Sequence, residues 1–268
     1  MFNRILNDAF SLVFGNLETV FKVCGSWFVL QFVLLLLIQA MVGDAPDPSG
    51  ETAQVSPAAI LSSLLLMVVG TAAAASISVA WHRFGLLGER PDLIHLRLGP
   101  VEGRFILKSL LIALLLFAVV FPVSFAAAFI GGALHSPVIL AVVLVVMALV
   151  LLPHVARLYL ALPAVAVERP IGLKEAHTLG HGLGWPMVGA ALVLILPFVL
   201  VAFGLQYLAQ TVGGGGLFAL LITIKLALLN VLLQIILTVV GISVITAGYR
   251  IAMERPHGNL PGTPSNPA

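Results

Sequence analysis

"FVLQFVLLLLI", residues 28–38, carries no charge and a single polar side chain, Gln31. A helix that is apolar on every side has no face to offer water and belongs inside a large core or a membrane. Extended outward, the apolar block covers about residues 23–43, which matches the roughly 20 residues needed to cross a hydrocarbon layer of about 30 Å. "ALVLILPFVLV" (191–201) and "VLLQIILTVVGISVI" (231–245) read the same way. The full set is six spans, at about 23–43, 58–80, 106–130, 138–163, 186–209 and 221–248.

Composition agrees. Of 268 residues, 9% are charged and 60% hydrophobic, against about 25% charged in an average soluble domain, and the mean hydropathy is +1.14. The fold class expected is therefore all-α, a polytopic membrane helix bundle with six transmembrane helices in a single domain over residues 1–254. The tail 255–268, "RPHGNLPGTPSNPA", is too rich in proline, glycine and asparagine to build a core and reads as disordered. The first span lies behind a polar stretch, unlike the apolar region of a secretory signal, and reads as a retained helix. One cysteine, Cys24, excludes an internal disulfide and a multi-cysteine metal cluster.

Net charge is +2, but 12 of the 13 basic residues fall on one side of this topology. Arg4 and Lys22 precede span 1; Arg83, Arg90, Arg97, Arg104 and Lys108 lie around the connection from span 2 to span 3. Arg157, Arg169 and Lys174 flank the connection from span 4 to span 5, and Arg250 and Arg255 follow span 6. The loops at about 44–57, 131–137 and 210–216 contain neither lysine nor arginine, and the first carries Asp44, Asp47 and Glu51. The positive-inside rule then places both termini in the cytoplasm. Lys225, the thirteenth, reads as a residue snorkelling from the outer end of span 6.

One charged triplet recurs. Glu-Arg-Pro stands at 89–91, 168–170 and 254–256, each time just after an even-numbered span returns to the basic side. Cutting after each triplet gives repeat-like units of about 1–91, 92–170 and 171–256. The interval from a preceding arginine to the triplet's glutamate varies, at 6, 11 and 4 residues, so the triplets read as punctuation of a repeated unit rather than a rigid site. Proline stops the helix, arginine obeys the charge rule, and glutamate is free to pair locally.

The units start with segments of interfacial character. In residues 2–22 polar positions recur at Arg4, Asp8, Ser11, Gly15, Glu18 and Lys22, with Leu6, Ala9, Val13 and Leu17 on another face. This predicts an amphipathic helix lying in the headgroup plane, with Arg4–Asp8 and Glu18–Lys22 as i,i+4 pairs. Residues 171–185 look like a glycine-rich version, echoing residues 9–15 as A-x-[ST]-L-x-x-G at 176–182. "PDLIHLRLGPVEGRF" (91–105) is expected to do a similar job, interrupted at Pro100.

The layout and the wording "LALPAVAVERPIGLKEAHTLGHGLGW" (160–185) resemble a group of bacterial six-helix inner-membrane proteins. These include the YciC-like family and the membrane domain attached to some glycerophosphodiester phosphodiesterases. Pro163, Glu168, Ala176 and Thr178 carry the match. The resemblance implies the six-helix fold and a bacterial inner-membrane location, and brings no activity with it.

Candidate chemistry is sparse. His177 and His181 stand i,i+4, but a zinc site needs three or four ligands and the H-E-x-x-H pattern needs a glutamate where Thr178 stands; they read as polar residues of an interfacial helix. His154 is an ionisable group inside a span and a functional candidate by position. Asn230, Gln234 and Thr238 form an i,i+4,i+8 stripe in span 6, read as an interhelical hydrogen-bond seam with a hydrophilic path as the alternative. Gly213–Gly216 reads as a turn rather than a phosphate loop. No G-x-S-x-G elbow and no intramembrane acidic pair is found, so neither an enzyme nor a cofactor is expected.

The strongest positive feature is the basic rim. Arg90, Arg97, Arg104 and Lys108 are candidates for binding lipid headgroups on the basic side. The function expected is that of a structural or accessory membrane protein whose partners are membrane lipids, including anionic headgroups, or another membrane protein, with no nucleic acid. A small-solute or lipid transporter is the alternative.

Overall fold

A computed structural model describes residues 1–42, 57–92, 94–134, 136–211 and 217–255. Most of the expected outer loops at 44–57 and 210–216 and the C-terminal tail from Pro256 lie outside those residues, whereas the loop at 131–137 is described except for residue 135. The described chain is helical throughout, with no strand: α1 (Phe2–Phe14), α2 (Leu17–Val42), α3 (Pro57–Leu87), α4 (Pro100–Ala133), α5 (Pro137–Leu158), α6 (Ala161–Ala166), α7 (Leu173–Leu179), α8 (Gly184–Thr211) and α9 (Leu217–Glu254). Six segments among them are long and apolar enough to cross a membrane, with α5 and α6 together forming one.

The helices close into a ring. α2 packs on α3, α3 on α4, α4 on α5, α5 on α8, α8 on α9, and α9 on both α2 and α3. Outward surfaces are clad in large apolar side chains such as Leu107, Phe129, Val145 and Phe203, as lipid-facing helices require once their backbone is satisfied internally. The buried side chains concentrate at one end of the bundle. There Arg4 is ion-paired with Glu254 and Arg255 Nη2 stands 2.8 Å from Met1 Sδ, so the two ends of the described chain meet. We call this end the base.

Four expectations about helix limits need correction. The amphipathic segment is not one helix through Lys22: it stops at Phe14, and α2 starts at Leu17. The side-chain amide of Asn16 donates to the Leu12 carbonyl at 3.0 Å, substituting for a backbone partner that a continuing helix would supply. α1 also buries its apolar edge in the protein, with Ile5, Ala9 and Val13 fully enclosed against α8 and α9. Arg4 correspondingly reaches Glu254 and not Asp8, whereas the Glu18–Lys22 pair forms at 2.6 Å.

Span 4 is not continuous either. After Leu158 the chain tightens into i→i+3 bonds, Leu160 N–H to Arg157 O at 3.2 Å and Leu162 N–H to Tyr159 O at 3.0 Å. The short turn α6, "ALPAVA", is entirely buried between α3 and α4 and touches α9. Small residues let it come this close.

Pro100 starts a helix where an interruption was expected. It occupies the first turn of α4, where its missing N–H costs nothing, and Gly99 N–H is taken by Glu102 Oε2 at 2.7 Å. α7 opens on the same G-x-x-E arrangement, Gly172 N–H to Glu175 Oε2 at 3.3 Å. At the first two triplets the helix stops before the proline can act: α3 ends at Leu87, followed by Gly88 with φ +73°, and α6 ends at Ala166, two residues before Glu168 with φ +59°. At the third, α9 runs as far as Glu254, within its triplet as expected.

Candidate functional site

The three glutamates of the triplets each hold an arginine from elsewhere in the base. Glu89 grips Arg83 in bidentate fashion, Oε2 to Nε at 2.7 Å and Oε1 to Nη2 at 2.8 Å. Glu168 takes the same guanidinium from the other side, Oε1 to Nη1 at 3.0 Å, and Arg83 Nη1 also donates to Ala166 O at 3.1 Å. Glu254 takes Arg4. The guanidinium beside it holds the Glu89 carboxyl below the usual range. Of the three arginine-to-glutamate intervals, only the six-residue one is a contact; Arg250 turns away to the Gly85 carbonyl.

Around Arg83 the connection from α3 to α4 is pinned at His95 and at Gly99. His95 N–H donates to Ser26 Oγ at 3.3 Å, and Glu102, only 4% exposed, closes the far end on Gly99. Burial lowers the His95 pKa. Between the connection, the end of α3 and the start of α4 lies a cavity of about 150 Å³. Arg90 and Arg97 line it, and neither makes an ion pair or hydrogen bond among the described residues. Arg90 also borders a second cavity of about 240 Å³, whose far wall is the turn from Gly15 to Thr19 with Lys22 and Phe84.

The four predicted rim residues therefore separate. Arg90 and Arg97 share the cavity wall. Arg104 folds back on Pro100 O at 3.3 Å, and Lys108 is committed to Ile171 O at 2.9 Å, tying α4 to the start of α7. The six-residue interval from Arg83 to Glu89 was the available signal for the Arg83 hub. Asp92, His95 and Glu102 carried none that sequence reasoning used.

The histidines pair differently from expectation. His154 Nδ1 lies 2.9 Å from His177 Nε2 with the rings stacked, and His181 is exposed. Burial, then the nearby Arg157, lowers the His177 pKa. Among the described residues no three His, Cys, Asp or Glu side chains converge as metal ligands would.

The predicted seam is also misplaced. Thr238 Oγ1 bonds its own helix at Gln234 O, while Asn230 and Gln234 are exposed and bond to no described side chain. The buried seam lies further towards the base of α9. Trp81 Nε1 donates to Ser243 Oγ at 2.7 Å, and His82 Nδ1 lies 2.9 Å from Thr246 Oγ1. Both hydroxyls also bond back to their own helix.

Six apolar spans in an all-helical bundle define a multi-pass membrane protein by length and composition. Comparison of the chain with protein-family models, curated proteins and solved structures returned no match.

Proposed function

We propose that this is a bacterial inner-membrane protein of the YciC-like kind, with both termini cytoplasmic and no catalytic chemistry, that binds phospholipid headgroups as an accessory component of the membrane. The observation that carries the reading is the pair Arg90 and Arg97, two guanidinium groups without an ion pair or hydrogen bond among the described residues, on the wall of one cavity. The twelve basic residues on one side support the orientation. Each basic residue near an anionic leaflet contributes about 1 kcal/mol, so removing both weakens headgroup binding by roughly 30-fold. Detergent-free extraction followed by mass spectrometry tests this. Phospholipid retained by the wild type is lost from the joint Arg90→Gln, Arg97→Gln variant; unchanged lipid content overturns the reading.

A second reading, transport of a small solute or lipid, is favoured by the exposed Asn230 and Gln234 within α9. Uptake abolished by Gln234→Leu would establish it over the first.

A further inference from the structure

The cavity bordered by Arg90 and Arg97 is not uniformly basic. Its wall also holds the carboxylates of Glu89, Asp92, Glu102 and Glu168. Most of these charges are already committed. Glu89 and Glu168 are held by Arg83, and Glu102 by the Gly99 N–H. The wall thus carries three guanidinium groups against four carboxylates, and its charged side chains without an ion pair or hydrogen bond among the described residues are Arg90, Arg97 and Asp92. Beside them His95 Nε2 is buried without a hydrogen-bond partner.

We propose that this cavity takes a headgroup carrying both a phosphate and a primary ammonium, a phosphoethanolamine-type zwitterion, with the phosphate on Arg90 and Arg97 and the ammonium on Asp92. The inference rests on the headgroup reading above and names the class of headgroup. A purely anionic headgroup satisfies the two arginines but brings negative charge towards a free carboxylate, which Coulomb repulsion opposes. A glycerol headgroup offers Asp92 no cation. A trimethylated ammonium is charged but has no N–H to donate, whereas a primary ammonium has three and makes the short charge-assisted bond that a carboxylate accepts.

The test is competition for the purified full chain among phosphatidylethanolamine, phosphatidylglycerol and phosphatidylcholine of equal chain length, read by native mass spectrometry. The wild type retains the ethanolamine lipid about tenfold over the other two, the ratio that one charge-assisted contact worth about 1.4 kcal/mol produces. Asp92→Asn brings the ratio to near one while total bound lipid stays. Arg90→Gln with Arg97→Gln lowers binding of all three. These side chains are exposed, and unchanged thermal unfolding of each variant verifies that it folds. Equal or greater retention of the glycerol lipid, unmoved by Asp92→Asn, overturns the zwitterion proposal and leaves the headgroup reading standing. Lipid binding that is indifferent to the arginine pair overturns both.

Discussion

Glu168 reaches Arg83 across 85 positions of sequence, Oε1 to Nη1 at 3.0 Å, from a left-handed backbone conformation, φ +59°, that few non-glycine residues adopt. The chain enters that conformation because α6 closes with the paired bonds Arg169 N–H to Ala164 O, 2.8 Å, and Glu168 N–H to Val165 O, 3.1 Å. This is the helix ending in which glycine normally stands at the left-handed position. Glutamate there costs about 1–2 kcal/mol of backbone strain and is offset by its hold on Arg83, a group that already has Glu89 and Ala166 O.

The arrangement predicts an unusual order of stabilities. Glu168→Ala loses the ion pair and keeps the strain, whereas Glu168→Gly loses the pair and relaxes the strain. The glycine variant should be the more stable of the two by about 1 kcal/mol, or about 2–4 °C in thermal unfolding of the detergent-solubilised protein. An alanine variant as stable as the glycine variant refutes the strained closure.

Acid should loosen the base in two separable steps. The His177 pKa lies below its unfolded value of 6.5 because burial disfavours the cation. The unfolded chain then binds the proton first, so stability is complete above about pH 6.5 and falls as pH drops towards the folded pKa. Glu89, with its pKa held below 4.5 by Arg83, contributes stability that is complete above that value and lost as pH falls through the folded pKa. Unfolding midpoints from pH 8 to pH 3 should show a smaller first step in His177→Gln, where His95 keeps the remainder, and a smaller second step in Glu89→Gln, where Glu18 keeps the remainder. A profile that keeps both steps at full size in both variants rejects the assignments.

The seam between α3 and α9 should respond where Trp81 meets Ser243 and nowhere along the predicted stripe. Ser243→Ala leaves a buried indole N–H without its acceptor and should cost about 1–3 kcal/mol. Thr238→Val removes only a bond to the helix's own Gln234 carbonyl and should stay within about 0.5 kcal/mol. Reversal of that order in thermal unfolding would return the seam to the 230–238 stripe.

Span number was legible because it depends on local apolar length alone: 28–38, 191–201 and 231–245 exclude water whatever surrounds them. The seam was not, because Gln234 and Ser243 both stand in apolar runs, and only the crossing of α3 decides which hydroxyl or amide meets an indole. The break at Asn16 and the turn into α6 likewise follow from long-range packing. At the rim the residue types were read correctly, but Lys108 is claimed by the Ile171 carbonyl, a partner 63 positions away. Arg83 was visible only as one basic residue among five, although its six-residue interval to Glu89 was in view.

Orientation in the membrane has a direct test in the lone cysteine. Cys24 is buried in α2, and alanine in its place removes only a small sulfur-bearing group, so a Cys24→Ala background should fold. A single Ser49→Cys or Gly214→Cys then sits in a loop that carries neither lysine nor arginine, which the positive-inside rule assigns to the outside. An impermeant thiol reagent applied to intact cells should label both, and should label Asn259→Cys, beyond Glu254, only after lysis. Because Arg4 and Glu254 are ion-paired, the N-terminal helix and the end of α9 must share one side, so a cysteine at Asn3 should follow the pattern of Asn259. Labelling of Asn3 and Asn259 in intact cells, with Ser49 protected, would invert the topology and move the Arg90 cavity away from the cytoplasmic leaflet.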